Sequence, residues 1–307
     1  MKPRILIIRG GAIGDFILTL PAIRLIREAF PAAHLEILGY RHIVAVAEGR
    51  YYADAARSIE YSAMAAFFVP GSDLAADLVE YFASFQQVIS YLYDPSKFFE
   101  GNLRRAGVKN FLNAFARIDD TAHAAQQLAR PLDRLALYLD SHAAVLFPTD
   151  DDRAIAAREL ADVDRPTIAI HPGSGSPRKN WPVANWRSLG QQLMDRHPRP
   201  RLMLVGGEAD RPQLAELATA WQAGNPILAC DLPLPELAAR LERCALFLGH
   251  DSGVSHLAAA VGTPCVLLFG PTDPAIWAPA NANVTVLVAL DGDLEQLSIE
   301  QVKAALP

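Results

Sequence analysis

A repeated alternation constrains this chain more than any other feature. Short β-branched apolar runs alternate with helical patterns through the first half and again through the second. In the first half RILII (4–8), LEIL (35–38), QVISYL (87–92) and KNFL (109–112) read as buried strands, with helices near 15–29, 72–84 and 123–139. In the second half TIAIH (167–171), RLMLVG (201–206), PILAC (226–230), LFLG (246–249) and CVLLFG (265–270) repeat the pattern, with helices near 184–196, 210–222, 234–243 and 252–261. Such strands suit parallel sheets covered on both faces, so the expected class is α/β with two parallel-sheet lobes.

The 307 residues exceed one ordinary domain. FPTDDDRAIAARELADVDRP (147–166) is acidic and bracketed by prolines, as a linker or bridging helix would be. The boundary is therefore expected there, giving domains 1–150 and 151–307. Ser298 and Gln301 form an S-x-x-Q capping box that predicts a last helix.

A net charge of −6 supplies no broad positive field, which argues against nucleic acid as a partner. Any anion site must be local. Cys230, Cys244 and Cys265 have no metal-ligand spacing and read as buried free thiols, which fits a reducing cytoplasm. No secretion signal is visible, and the longest apolar stretch, 257–270, is too short and too broken by glycine and proline to span a bilayer.

Three stretches can carry chemistry, and each follows a strand. In RGGAIGD (9–15), Gly10, Gly11 and Gly14 give GGxxG rather than GxGxxG, and the second strand runs into Gly39-Tyr40 rather than an acid. That departs from a dinucleotide fingerprint. It leaves a tight turn open to a ligand, with Asp15 either functional or merely an N-cap. In HPGSGSPRKNWPVANW (171–186), the small residues Gly173, Ser174, Gly175 and Ser176 precede Arg178 and Lys179, a loop able to form an anion nest with Lys179 as a point charge. In GHDSGVSHLAAAVGTPCVLLFGPTDP (249–274), Asp251, Ser252 and Gly253 open a helix whose N–H groups favour phosphate. Ser255 adds a hydroxyl, and His256 falls on the face of Ser252 or serves as a core histidine.

Taken together these stretches resemble glycosyltransferase family 9, the ADP-heptose:lipopolysaccharide heptosyltransferases. The marks are Arg9 to Asp15 with Pro21 beyond, Lys179-Asn180-Trp181-Pro182 after the glycine/serine loop, and Asp251 to His256 with Gly270 to Pro274 behind. The resemblance implies a GT-B fold, two Rossmann-like doubly wound domains facing a central crevice, with acceptor on the N-terminal domain and nucleotide sugar on the C-terminal one. It implies an inverting transfer of heptose from ADP-heptose to a lipopolysaccharide-core or other lipid-anchored glycan. Asp15 would be the base, Lys179 the diphosphate contact, and Asp251 to Ser255 with His256 the surroundings of phosphates and sugar. Glu208 or Asp210 would hold the ribose. Gly10 and Gly11 would line the acceptor site, and Arg104 and Arg105, in a positive cluster with Lys97 and Lys109, could greet a phosphorylated acceptor.

No cofactor and no metal is expected. The acidic runs Asp150 to Asp152 and Asp291 to Asp293 do not follow strands, and positive charge is already supplied elsewhere. The expected location is cytoplasmic, peripheral at the inner face of the membrane. Alternatives are a different nucleotide sugar, a silent nucleotide-sugar-binding protein, or an NAD(P)-dependent oxidoreductase.

Overall fold

The computed structural model describes residues 2–160 and 165–307. The chain divides into two compact units, one up to His142 and one from Ala143, ahead of the boundary expected at 150.

In the first unit β1 (Arg4–Arg9), α1 (Ile13–Ala29), β2 (His34–Gly39), α2 (Arg41–Val44), β3 (Ala55–Ser58), α3 (Ala76–Ala83), β4 (Gln87–Ser90), α4 (Phe98–Arg105), β5 (Phe111–Asn113) and α5 (Ala124–Ala129) follow in order. The strands form one parallel sheet in the order β3-β2-β1-β4-β5. Ile5 to Ile8 of β1 are buried, as a central strand covered on both faces requires.

Three local readings shift. The half-exposed β3, AARS, has no apolar run to announce it. The strand expected at 109–112 begins at Phe111; just before it the Asn110 carbonyl accepts the Val88 N–H at 2.9 Å and its side chain donates to the Gln86 carbonyl at 2.7 Å. The helix expected over 123–139 is α for only six residues. It tightens to a 3₁₀ helix over Arg130–Leu135, where Pro131 has no N–H to give, and ends at Ala136 with φ 57°.

The second unit runs α6 (Asp150–Glu159), β6 (Thr167–Ile170), α7 (Val183–Met194), β7 (Arg201–Gly206), α8 (Arg211–Ala220), β8 (Ile227–Cys230), α9 (Leu234–Glu242), β9 (Leu246–His250), α10 (Gly253–Ala260), β10 (Cys265–Phe269), α11 (Pro274–Trp277), β11 (Val284–Val288) and α12 (Ile299–Ala304). Its parallel sheet has the order β11-β10-β9-β6-β7-β8. The edge strand β11 is the one the sequence reading passed over. Fully buried Trp181, Trp186 and Trp221 join isoleucines of β6 and leucines from β7, β9 and β10 in the core. Each such side chain contributes about 1.5–3 kcal/mol by leaving water.

Within the stretch expected to link the domains, α6 belongs to the second unit, and residues 161–164 lie outside those described. Thr149 and Asp152 cap α6 reciprocally, at 3.1 and 2.8 Å, and Arg153 on α6 grips Glu242 of α9 with two hydrogen bonds. The acidic run is thus a helix start, where carboxylates complement the dipole. At the other end of the unit, the Ser298–Gln301 capping box starts α12. Among the described residues no helix is long and apolar enough to cross a membrane.

Candidate functional site

In a doubly wound sheet ligands sit beyond the carboxyl ends of the strands, where the strand order reverses. Here the reversals fall between β1 and β4 and between β6 and β9. Residues 9–15 follow β1, residues 171–180 follow β6, and Asp251 to Ser255 follow β9. All three sequence constellations therefore lie at switch points.

At the first switch point Gly11 adopts φ +97°, and a Cβ there would lie 2.8 Å from Asp15 Oδ2. Glycine lets the turn fold over the carboxylate. Ala12, not Asp15, is the N-cap of α1; Asp15 sits three residues in and accepts the Ala12 N–H at 2.9 Å. The Asp15 side chain is 44% exposed, and its other oxygen is 3.8 Å from Arg9 Nη2. Arg9 is fixed from below, donating to Thr19 Oγ1 at 2.9 Å and to the Asp15 carbonyl at 3.1 Å. Burial pulls this guanidinium below its usual pKa while Asp15 opposes the shift. Its guanidinium carbon lies 6.0 Å from the ring centre of buried Tyr91. The result is an ionisable carboxylate, partly open to solvent, steadied by a peptide N–H and a cation.

The second switch point is denser. Lys179 Nζ is 2.6 Å from Asp251 Oδ2, and Thr272 Oγ1 donates to the same oxygen at 2.8 Å. Ser252 caps α10, accepting the Ser255 N–H at 3.3 Å. Its hydroxyl also lies 3.2 Å from His171 Nδ1 and 3.0 Å from Ser255 Oγ, while Ser255 donates to the His250 carbonyl. His171 Nε2 lies 3.4 Å from Asp210 Oδ2, which also accepts the Gly207 N–H at 3.0 Å. Burial raises the Asp210 pKa, but the His171 and Gly207 hydrogen bonds outweigh it, so the net shift is downward. Gly173 makes room for this carboxylate, since a Cβ there would fall 1.7 Å from Asp210 Oδ1.

Buried aromatic residues hold Lys179 in place. Two residues on, Trp181 is buried and donates through its indole to the Leu297 carbonyl at 2.8 Å. The Trp181 N–H donates to His250 Nε2 at 2.8 Å, so His250 carries its hydrogen on Nδ1 and donates it to the Gly173 carbonyl at 3.2 Å. Burial pushes the His250 pKa down to about 3. This neutral imidazole ties the glycine/serine loop to the K-x-W-P segment. Ser174, 2.6 Å from Asn180 Oδ1, closes the loop.

The other expected residues divide. Gly253 opens α10 and His256 is buried on it, while Glu208 is exposed beside Asp210. The structure does not bring Arg104 and Arg105 to Gly10 and Gly11. Arg104 donates to the Lys109 carbonyl at 2.6 Å, just before β5, and Arg105 donates to the Ser72 carbonyl at 3.1 Å. This is the starting edge of the sheet, whereas the glycine turn leaves its finishing edge. Lys97 lies at the opposite end of α4 from both arginines, so the positive cluster is divided. Cys230, Cys244 and Cys265 are free thiols, with Cys230 only half-buried. Among the described residues no group of three or more His, Cys, Asp or Glu could hold a metal. Sequence reasoning passed over His171, Thr272, Arg9 and Thr19. Arg9, His171 and Thr272 stand within quoted motifs, but only the fold reveals their partners.

Residues 107–304 match the model of glycosyltransferase family 9 (heptosyltransferase). The chain is 32% identical over 134 residues to lipopolysaccharide heptosyltransferase 2 of Escherichia coli strain K12, covering 42% of this chain and 38% of that protein. It is 26% identical over 303 residues to lipopolysaccharide heptosyltransferase 3 of Escherichia coli, covering 88% and 84%. In sequence the chain thus spans little more than a third of the first relative and most of the second. Among solved structures it resembles the family 9 glycosyl transferase of Veillonella parvula DSM 2008, with TM-score 0.79, 20% identity and coverage of 99% and 95%. It also resembles E. coli ADP-heptose lps heptosyltransferase II, with TM-score 0.76, 18% identity and coverage of 98% and 96%. A third is E. coli heptosyltransferase WaaC with ADP, with TM-score 0.71, 20% identity and 98% coverage of each chain. The two sheets have the α/β architecture of these GT-B neighbours, and the family model covers more than half of the chain: the chain belongs to glycosyltransferase family 9.

Proposed function

We propose that this chain is an inverting glycosyltransferase that moves heptose from ADP-heptose to a lipopolysaccharide-core or other lipid-anchored glycan, working at the cytoplasmic face of the membrane. The observation that carries the reading is the second switch point, where the capped N-terminus of α10 lies beside the Lys179–Asp251 pair. Peptide N–H groups and a helix dipole favour a diphosphate there. An ammonium has three donors, so Lys179 can keep Asp251 and still reach phosphate oxygens. The free thiols suit a reducing compartment.

The donor's nucleotide is read from the relatives, one of which is named for ADP-heptose and another of which was solved with ADP. Asp210 is already engaged by His171 and Gly207, which leaves exposed Glu208 to meet the ribose. On the first unit, Asp15 takes the proton of the acceptor hydroxyl as the oxygen attacks the anomeric carbon. The nucleoside diphosphate leaves with the bonding pair, stabilised by Lys179 and the α10 N–H groups. Gly10 and Gly11 let the acceptor approach the backbone. No step needs a metal or a redox cofactor.

Calorimetric titration with ADP, UDP, GDP and NAD tests the donor assignment. ADP is expected to bind most tightly, with binding abolished or strongly weakened in Lys179→Ala. Preference for NAD, or ADP affinity indifferent to Lys179, would overturn it.

A further inference from the structure

Just past the ends of β4 and β5 two aromatic side chains stand in solvent against each other. Tyr93 is 70% exposed and Phe115 38% exposed, and their ring centres lie 5.0 Å apart with the planes inclined at 51°. Single apolar side chains on a surface are ordinary, but two rings held in contact there leave a continuous apolar face open to water. The backbone fixes both. Sheet pairing runs on past the strands, with the Tyr91 N–H donating to the Ile8 carbonyl at 2.9 Å and the Ala114 N–H donating to the Ser90 carbonyl at 2.8 Å. The next N–H on each segment is held by a local turn: Leu92 donates to Ser90 Oγ at 3.3 Å and Phe115 to Asn113 Oδ1 at 3.0 Å. The rings are therefore presented by anchored backbone, and an aromatic side chain, with two rotatable bonds, loses little freedom on meeting a ligand.

The place of the pair says what it can hold. β1 and β4 flank the switch point of this sheet and β5 is the other neighbour of β4, so Tyr93 and Phe115 leave the same finishing edge as the glycine turn. Leu92 joins the two features. A Cβ on Gly10 would lie 3.2 Å from Leu92 Cδ2, so the turn that carries Asp15 packs beside the residue before Tyr93. An acceptor lying against Gly10 and Gly11 has these rings as its neighbours on the β4 side. A sugar ring matches them: one of its faces carries mainly C–H bonds, which rest against the negative face of an aromatic ring, while its hydroxyls stay at the rim in water. An acyl chain would be served as well by any apolar side chain of similar bulk.

We propose that Tyr93 and Phe115 form a stacking platform that holds a sugar ring of the acceptor glycan while the attacking hydroxyl meets Asp15. The proposal rests on the reading of the Gly10–Asp15 turn as the acceptor site. The platform binds and orients; no bond is made or broken on it.

Transfer from ADP-heptose, followed against the concentration of a de-acylated lipopolysaccharide-core oligosaccharide, tests it with an acceptor that has sugars and no acyl chain. Tyr93→Ala should raise the acceptor KM about 10-fold, with kcat at saturation within about twofold of wild type and the Kd for ADP unchanged. Tyr93→Phe keeps the ring and should match wild type. Phe115→Leu keeps the apolar bulk without a ring and should raise the same KM. Calorimetric titration of the oligosaccharide into the ADP-loaded protein should show the same order without turnover. An unchanged KM in Tyr93→Ala, a loss in Tyr93→Phe equal to that in Tyr93→Ala, Phe115→Leu equal to wild type, or an effect confined to the acylated acceptor would overturn the platform alone. Absence of both transfer and oligosaccharide binding in the wild-type chain would overturn the acceptor-site reading together with it.

Discussion

The Lys179 ammonium lies 2.6 Å from the Asp251 carboxylate, a pair that joins the loop after β6 to the loop after β9 across the switch point. A lone lysine would wander on its flexible stem, but this one is held. Thr272 steadies the same carboxylate oxygen, and Asp251 immediately precedes Ser252, the N-cap of α10. Lys179→Ala should cost about 1.5–3 kcal/mol of ADP binding, or about 10- to 150-fold in Kd. Asp251→Asn, which loosens the lysine without removing it, should cost less. Calorimetric Kd values for the two variants check the order.

Gly173 faces Asp210 so closely that no side chain fits. Gly173→Ala must displace the carboxylate or the loop, with an expected stability loss of about 1–3 kcal/mol and weakened ADP binding. Adding Asp210→Ala should recover stability but not ADP affinity, because it removes the carboxylate that His171 bridges to Ser252. Denaturant melts and titrations of the single and double variants separate the two effects.

His250 makes acid stability measurable at one residue. Its folded pKa is pushed down to about 3 by burial. The unfolded chain's histidine binds a proton near pH 6.5. Between those values the unfolded state holds the extra proton, so stability falls as pH falls, by about 1.4 kcal/mol per pH unit from this group. His250→Asn should flatten the decline, since an amide can donate to the Gly173 carbonyl and accept the Trp181 N–H without titrating. Unfolding free energies at several pH values, compared between wild type and variant, isolate the contribution.

Metal independence is expected from the same charge arrangement, since Lys179 and the α10 N–H groups can neutralise the departing diphosphate. Asp150 to Asp152 start α6, and Asp293 caps the turn at Leu294–Gln296. Sugar transfer should proceed at the full rate in EDTA. A rate lost on chelation and restored by Mg²⁺ or Mn²⁺ would contradict this.

Much of the molecule was legible in its sequence because parallel strands buried on both faces write themselves as unbroken apolar runs. Arg4–Arg9, Arg201–Gly206 and Cys265–Phe269 are examples. Ala55–Ser58 escaped because AARS has no apolar run, whereas Val284–Val288 is a β-branched apolar run, VTVLV, that the reading passed over. The site's anchors were legible for a related reason: a glycine turn, a lysine before a tryptophan, and a D-S-G helix start each have a local meaning. Their partners were not. His171 and Asp210 are 39 residues apart, as are the ends of many loops, and only the strand order places them in contact. Arg104 and Arg105 illustrate the converse, a charge cluster conspicuous in sequence whose members spend their donors on nearby carbonyls.

Asp15 is proposed to remove a proton from the acceptor during sugar transfer. Asp15→Asn is the sharpest probe, because an amide oxygen can still accept the Ala12 N–H that the carboxylate accepts at 2.9 Å, leaving the start of α1 intact. Turnover should be followed as ADP released per heptose gained by the lipid-linked acceptor, under saturating ADP-heptose. The variant should bind ADP normally while kcat falls by about 10² to 10⁴, the usual contribution of a general base. Turnover within about threefold of wild type would show that Asp15 serves the turn rather than the reaction.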